Sequence, residues 1–461
     1  MRKWWPLVAV CLGTFMFLLD TTVLSVALPE IGEGLSASLS ALQWVVNIYT
    51  LVLAVLMLTM GALVDRFGAR TVYVGGLVVF GIASLVCGLA PNAGVLVTAR
   101  GMQGIGGAAM AVTTFALIGS VYRGADMGRA MGVFGAVTGL AAAVGPMLGG
   151  ILTQYLSWRA VFFLNIPLVA VTVALSLRVL TPWRQNAGTR IDLPGMIAFA
   201  LCAGSLTYAL TLAGEEGWTS PAVLSLLALA ALAVIVFTRV ELRSRVPLLD
   251  VTLFARASFS AVMMCVVAST AAFAALVYTS VWLQSGLGLG PVRAGLALMP
   301  LALASFATSL ISGRRLHGKS PRAILAAGLL LSGIGCALQT GLDAGSSAGS
   351  LAAGLALTGV GVGLMGPAMG AAVFAALPPE RSGMAAGAMT TFRQLGQTLG
   401  VAVFGLLFQQ SGAALPEGLN RVLTAAAAAG IIGSVLAYVF VPKPTAANAS
   451  VPARRDLTGS R

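Results

Sequence analysis

Apolar stretches of roughly 20 residues, each long enough to cross a bilayer as a helix, alternate with short polar connections along almost the whole chain. Helices are the expected form, because hydrocarbon offers no partner to an unpaired backbone group. Fourteen such stretches can be read, centred near residues 17, 52, 80, 106, 140, 170, 203, 230, 270, 303, 332, 360, 397 and 431. Most connections are short, so successive helices are expected to pack antiparallel. The longest polar pieces are residues 182–192, residues 241–257 and the tail after Lys443, which is small, polar and expected to be disordered. No soluble domain interrupts the spans. The expected division is a six-helix bundle over residues 1–181, then a linker with two additional spans and a loop over 182–256. A second six-helix bundle follows over 257–442, and a tail over 443–461.

Composition sharpens this picture. Of 461 residues, 58% are hydrophobic and 9% charged, with mean hydropathy +0.95, whereas a soluble domain carries about 25% charged residues. The cations then set an orientation, because Lys and Arg collect on the cytoplasmic side. With both ends inside, that side gathers Arg2, Lys3, Arg66, Arg70, Arg123, Arg129, Arg178, Arg239, Arg243, Arg256, Arg322, Arg381, Arg393 and more. The other side keeps only Arg159, Arg293 and Arg421, and holds Glu30, Glu33, Glu215, Glu216, Asp343 and Glu417. The formal net charge of +13 is therefore a topology signal. A nucleic-acid partner is not expected, since that would require cations gathered on one soluble face. The predicted setting is a bacterial plasma membrane, crossed many times, with both termini cytoplasmic; abundant Arg, Ala and Gly suggest a GC-rich genome.

The N-terminal segment begins like a secretory signal, but its apolar run is too long and no cleavage site follows, so it is expected to stay as a first helix. Cys11, Cys87, Cys202, Cys265 and Cys336 stand singly in apolar runs and suit small buried hydrophobes better than disulfides or metal sites. His317 is the one histidine. Neither a histidine-based triad, a paired carboxylate site nor a phosphate loop can be assembled, so an enzyme is not expected. Rings of like charge or filter loops, which a channel would use, are also missing.

Candidate chemistry is sparse and therefore pointed. Asp20 is the one acid that the pattern places inside a span. A carboxylate there costs a few kcal/mol, so it is read as functional by default, and Arg100 is the cation at similar depth. Two readings stay open: a static Asp20–Arg100 pair that fixes helix packing, or a proton switch whose neutralisation frees the helices. The uncharged stretch from Gly132 to Gly150 carries Gly145-Pro146 and Gly149-Gly150 inside one apolar run. Such a helix suits a bend and a close contact between two halves, or a plain glycine packing seam. Polar residues at helical spacing mark substrate contacts or helix–helix glue: Gln43, Asn47 and Thr50; Gln103; Tyr278, Trp282 and Gln284; and Thr390, Gln394 and Gln397. The loops Gly61–Arg70 and Ser312–Arg322 also occupy matching places in the two halves, as in duplicated transporters.

Four segments resemble the major facilitator superfamily, and within it the fourteen-span drug:proton antiporter branch of the EmrB/QacA type. Gly61, Asp65, Arg66, Gly68 and Arg70 match the loop signature, and Arg100, Gln103, Gly104 and Gly106 the fourth-helix signature. Gly132, Gly145, Pro146, Gly149 and Gly150 match the fifth-helix antiporter signature, with Ala141 where glycine is usual. Residues 19–23 and 26–29 match the first-helix pattern, with Ser25 where asparagine is usual. Trp158–Leu168, Glu216–Trp218 and Arg393–Gly405 also look like that branch.

The resemblance implies an all-α membrane protein of two six-helix bundles plus two additional helices. It implies a monomeric antiporter, without cofactor and driven by the proton gradient, that exports an amphipathic small molecule. Asp65 would meet the N-terminus of a helix starting near Gly383, and Arg66 and Arg70 would complete that cytoplasmic latch. The rival within the fold is an importer or symporter of a small organic solute. Relatives that export organic dications often carry a further acid in the second half. None is seen in a span here, so a neutral, monocationic or anionic aromatic compound is expected.

Overall fold

The computed structural model describes residues 2–122, 124–181, 192–244, 247–315, 320–375, 382–409 and 415–441. Among these residues the chain forms helices and short connections, with no strand. The first helices are α1 (Trp5–Leu35), α2 (Leu39–Phe67), α3 (Ala69–Gly88), α4 (Ala93–Val121) and α5 (Gly124–Tyr155). Two shorter ones, α6 (Trp158–Phe163) and α7 (Asn165–Val179), complete the first bundle. A hairpin of α8 (Leu193–Glu216) and α9 (Pro221–Arg243) follows. The second bundle comprises α10 (Ala257–Val281), α11 (Pro291–Arg315), α12 (Pro321–Leu338), α13 (Ala352–Ala375), α14 (Ser382–Gln409) and α15 (Leu415–Phe440).

Among the described residues, twelve spans are long and apolar enough to cross a membrane. One of them joins α6 to α7, and another carries α10 on through a π-helical turn to Gly286. At 32 and 28 residues, α5 and α14 are as long as these spans and pack among them, but are not among the twelve. In α14 the polar run around Arg393, Gln394 and Gln397 lowers the mean hydropathy. The tail after Lys443 and the piece 182–191 lie outside the described residues.

Local chemistry sets the helix ends. Ser38, Asn92 and Asp192 cap α2, α4 and α8 by accepting the backbone N–H of Ala41, Val95 and Gly195, which satisfies donors the first turn leaves free. Gly68 alone separates α2 from α3 and takes φ 84°, a conformation that costs a side-chain-bearing residue more than glycine.

Small residues set the packing inside each bundle. A Cβ on Gly106 would stand 2.7 Å from the Phe80 nitrogen, so α3 and α4 touch backbone to backbone. Gly430 and Gly333 bring α15 and α12 equally close. Without a hydrophobic drive between helices in lipid, this close van der Waals contact is the main source of cohesion. The outward faces instead show Ile82, Leu89, Leu232, Ile235, Ile432 and Val435, as a lipid-facing surface should. The α8–α9 hairpin leans on α2 of one bundle and α14 of the other.

Cations mark one face of the molecule. Arg66, Arg70, Arg129, Arg178, Arg239, Arg243, Arg256 and Arg322 sit at helix ends on the side where α1 begins, called the basic face below. There Trp4 stacks on Tyr122 with ring centroids 5.3 Å apart. The Tyr122 hydroxyl donates to the Lys3 carbonyl at 3.0 Å and accepts from Leu7 N at 3.1 Å. Lys3 also pairs with Asp126. These contacts tie the start of α1 to the turn between α4 and α5.

Candidate functional site: a carboxylate locked in the first bundle

Asp20 lies midway along α1 with its side chain fully enclosed, and Arg100 on α4 is 1% exposed. Arg100 Nη1 donates to Asp20 Oδ2 at 2.5 Å. The other carboxylate oxygen accepts from Gln103 Nε2 at 2.9 Å and from Asn165 Nδ2 at 3.0 Å. Gln103 Oε1 in turn accepts from Arg100 Nη1 at 2.8 Å, and Arg100 Nε donates to the Val45 carbonyl at 3.2 Å. The guanidinium also rests over the Tyr49 ring, 4.2 Å from its centre. Asn165 is itself held, donating to Ser84 Oγ at 3.0 Å while that hydroxyl donates to the Phe162 carbonyl. A buried ion pair survives in low dielectric only when its remaining donors and acceptors are met, and here three side chains meet those of the carboxylate.

Gln103 therefore corrects one expectation. It is fully buried against Asp20 and Arg100 instead of lining a substrate path. Asn165 escaped the sequence reading, although Trp158–Leu168 stood out as a motif. Nothing in its local pattern points inward, because α6 breaks at Leu164 and restarts the helix with Asn165. Glu241 also escaped it. That acid is 3% exposed within the α9 span, its Oε2 accepts from Leu249 N at 3.4 Å, and its Oε1 has no hydrogen-bond partner. Asp20 is thus not the lone buried acid.

The loop residues gather at the junction of the two bundles. Asp65 Oδ2 accepts the backbone N–H of Met384 at 3.0 Å, in the first turn of α14. Beside it, a Cβ on Gly387 would meet Gly61 Cα at 3.3 Å and the Met57 carbonyl at 3.4 Å. Arg70 turns away from this junction and donates to the Leu177 carbonyl at 2.7 Å. Arg66 is exposed, resting over the Phe67 ring at 5.3 Å. The carboxylate bridges the bundles, whereas the Arg70 bond stays within one.

Along α5 the glycines face two partners. A Cβ on Gly145 would fall on the Thr22 hydroxyl and 2.7 Å from Thr22 Cβ, and one on Gly149 would lie 2.9 Å from the Val23 carbonyl. These glycines seat α5 on α1, two and three residues from Asp20, and not on the other bundle as their sequence suggested. The contact between bundles is made by Gly135 and Gly139, which face Ser309 and Ala302 of α11. Gly132 is buried, Gly150 half-buried, and α5 stays helical through Pro146. The side chains of Gln43 and Pro146 lie outside the described residues.

The remaining polar candidates divide. Trp282 is 1% exposed in the apolar core of the second bundle, a correction, since it packs there at the end of α10 instead of lining a substrate path. The Tyr278 hydroxyl donates to the Val401 carbonyl at 2.5 Å, and Thr390 donates to the Ala386 carbonyl of its own helix. Gln284 is exposed and donates to Ser280 Oγ at 2.9 Å. Thr50 bonds to the Asn47 carbonyl at 3.0 Å. Asn47, Thr50 and Gln394 are half-buried and Gln397 is exposed. Arg393, counted above among the inner cations, lies well inside α14 instead of at its end.

Comparison with known proteins agrees with this architecture. The family model of the Major Facilitator Superfamily matches residues 10–322 and 261–459. The chain belongs to the major facilitator superfamily. Within it, the chain is 35% identical over 485 residues to "Puromycin resistance protein pur8" of Streptomyces alboniger, covering 100% of this chain and 94% of that one. It is 34% identical over 401 residues to "Multidrug resistance protein Stp" of Mycobacterium tuberculosis, covering 87% and 74%. It is 32% identical over 410 residues to "Tetracenomycin C resistance and export protein" of Streptomyces glaucescens, covering 88% and 76%. The human organic anion transporter MFSD10 shares the fold at a TM-score of 0.70 and 16% identity, covering 94% of this chain and 99% of its own. The proton:xylose symporter XylE does so at 0.69 and 14%, covering 96% of each. As a member of this superfamily, the chain is a multi-pass membrane transporter and not an enzyme.

Proposed function

We propose that this chain is a proton-coupled antiporter that exports an amphipathic organic compound from the cytoplasm, with α5 and α14 completing fourteen spans as in the drug:proton antiporter branch. The observation that carries this reading is the enclosed Asp20–Arg100 pair, braced by Gln103 and Asn165. Its relatives' names, which speak of drug and antibiotic resistance, point to the cargo class. The basic face is cytoplasmic by the distribution of cations.

The coupling works as follows. A proton reaching Asp20 cancels the charge that holds Arg100, and a pair that was balanced in low dielectric loses its main attraction. The guanidinium, still anchored at Val45 and Tyr49, no longer fixes α1. Because Gly145 and Gly149 seat α5 on Thr22 and Val23, a shift of α1 carries α5 with it. Gly135 and Gly139 of the same helix abut α11, so the local event reaches the second bundle through α5. The Asp65–Met384 contact holds the basic face shut in the present conformation and opens when the bundles rock.

Transport into inverted membrane vesicles under an imposed pH gradient tests this. Puromycin and tetracenomycin C, named by two relatives, are the first compounds to try, followed by a panel of aromatic antibiotics. Uptake should collapse with the gradient and disappear in Asp20→Asn. Full gradient-driven uptake by that variant would show the ion pair to be a static brace.

A further inference from the structure

Arg393 stands apart from the other cations. It lies about 16 Å along α14 from Ser382, far from the basic face. Its side chain is exposed, although α14 packs along its length against α10, α2, α15, α4 and α8. A group that is both deep and exposed lines an internal opening. Among the described residues it has no carboxylate partner. The Arg100 guanidinium is neutralised by Asp20; no described residue neutralises that of Arg393.

The faces of α14 show where the opening lies. Gly396 and Gly400, about 60° and 20° from Arg393 around the helix, pack on Val267, Thr270 and Ala274 of α10. Gly387, about 120° to the other side, packs on α2. The arc between these seams holds Arg393, Gln397, Thr390 and Gln394. The opposite arc shows Leu399 and Val403, exposed as a lipid-facing surface would be. The polar arc therefore faces inward, between the bundles. Tyr278 closes this arc farther along, with its hydroxyl at the Val401 carbonyl.

Across the opening stands α2, antiparallel to α14. From the Gly387–Met57 contact, Gln394 and Thr50 are each seven residues outward, and Gln397 and Asn47 are each ten. One amide-and-hydroxyl pair and one pair of amides thus lie at matching depth on facing helices. The carboxylate nearest in depth, Asp20, is fully enclosed with its charge spent on Arg100. Among the described residues the inner wall consequently offers amides, a hydroxyl and the Arg393 guanidinium.

We propose that Arg393 binds an anionic group of the transported compound, a carboxylate or acidic phenolate on an aromatic body, with Gln394 and Gln397 as its polar neighbours. A guanidinium suits this task because it is permanently charged and presents a planar fork to an anion. An intramembrane cation is retained where it faces a cavity and meets a partner; here that partner is the cargo. The inference deepens the export reading and rests on it for the word cargo, but the binding step needs neither protons nor transport.

Equilibrium binding to the purified full-length protein in detergent separates the two. The probes are xanthene dyes of similar size, anionic fluorescein and cationic rhodamine 6G, followed by fluorescence anisotropy without any gradient. Wild type should bind fluorescein more tightly than rhodamine 6G. Arg393→Gln should weaken fluorescein binding about tenfold, as loss of one charged hydrogen-bonding partner predicts, and leave rhodamine binding equal or tighter. Arg393→Lys, which keeps the charge, should retain most of the affinity and shows that the site folds. Preference of wild type for rhodamine 6G, no fluorescein binding, or an unchanged fluorescein affinity in Arg393→Gln would each overturn the assignment. Loss of gradient-driven transport with intact dye selectivity would instead count against proton coupling alone.

Discussion

Asp65 accepts the backbone N–H of Met384 at 3.0 Å, joining positions 319 residues apart and closing the two bundles together on the basic face. The bond engages a donor in the first helical turn of α14, where a negative charge is favoured by about 0.3–1 kcal/mol or more when partly buried. Asp65→Ala should therefore loosen that turn. Hydrogen exchange at residues 384–388 should speed up several-fold in the variant, and unchanged exchange would show that the packing of Gly387 on α2 suffices without the carboxylate.

The enclosed pair makes a prediction about stability as well as transport. Arg100→Ala leaves a buried carboxylate without its countercharge, held only by Gln103 and Asn165, and should cost about 3–5 kcal/mol. Adding Asp20→Asn to that variant removes the stranded charge, so the double variant should melt higher than Arg100→Ala alone. A double variant that melts lower would mean Asp20 is stabilised chiefly by Gln103 and Asn165.

At Gly145 the test is steric. Valine there would drive its branched carbons into Thr22, an overpacking that costs about 1–3 kcal/mol. Gly145→Val should still insert but transport poorly, because α5 no longer seats on α1. Trimming the partner in Gly145→Val/Thr22→Ala should restore part of the transport rate. No recovery would place the defect elsewhere on α5.

Glu241 gives the opposite expectation from Asp20. Its buried carboxylate accepts from the backbone N–H of Leu249 at 3.4 Å, and its Oε1 has no hydrogen-bond partner among the described residues. Glu241→Gln removes a charge that nothing described neutralises, so the melting temperature should hold or rise. A clear drop would reveal a stabilising role for that charge at the end of α9.

Much of this architecture was legible from the residues alone. Helix placement followed from the apolar runs, and the meeting of Asp20 with Arg100 from one acid and one cation at equal depth. What escaped the reading depends on rotation about helix axes. Period and spacing show that Gln103, Trp282 and Thr390 are polar or aromatic on a helix, but not whether that face meets a neighbour or a cavity. Trp282 packs into the second bundle's core at the end of α10. Gly145 looked like a seam between bundles because a glycine stripe carries no address; only the position of Thr22 supplies one. Asn165 was invisible because α6 and α7 meet at a break that its sequence does not announce, and Arg393 read as a loop cation until its helix was seen to begin at Ser382.

All the side chains that grip Asp20 come from α4 and α7, and the ring that backs the grip comes from α2. The proton switch proposed at Asp20 is thereby confined to one side of a two-part machine, while the selective guanidinium proposed at Arg393 belongs to the other. Such a division of labour lets ancestry retune one part without detuning its counterpart. Chimeras that splice this motor to a foreign second bundle should keep their appetite for protons and inherit a different diet.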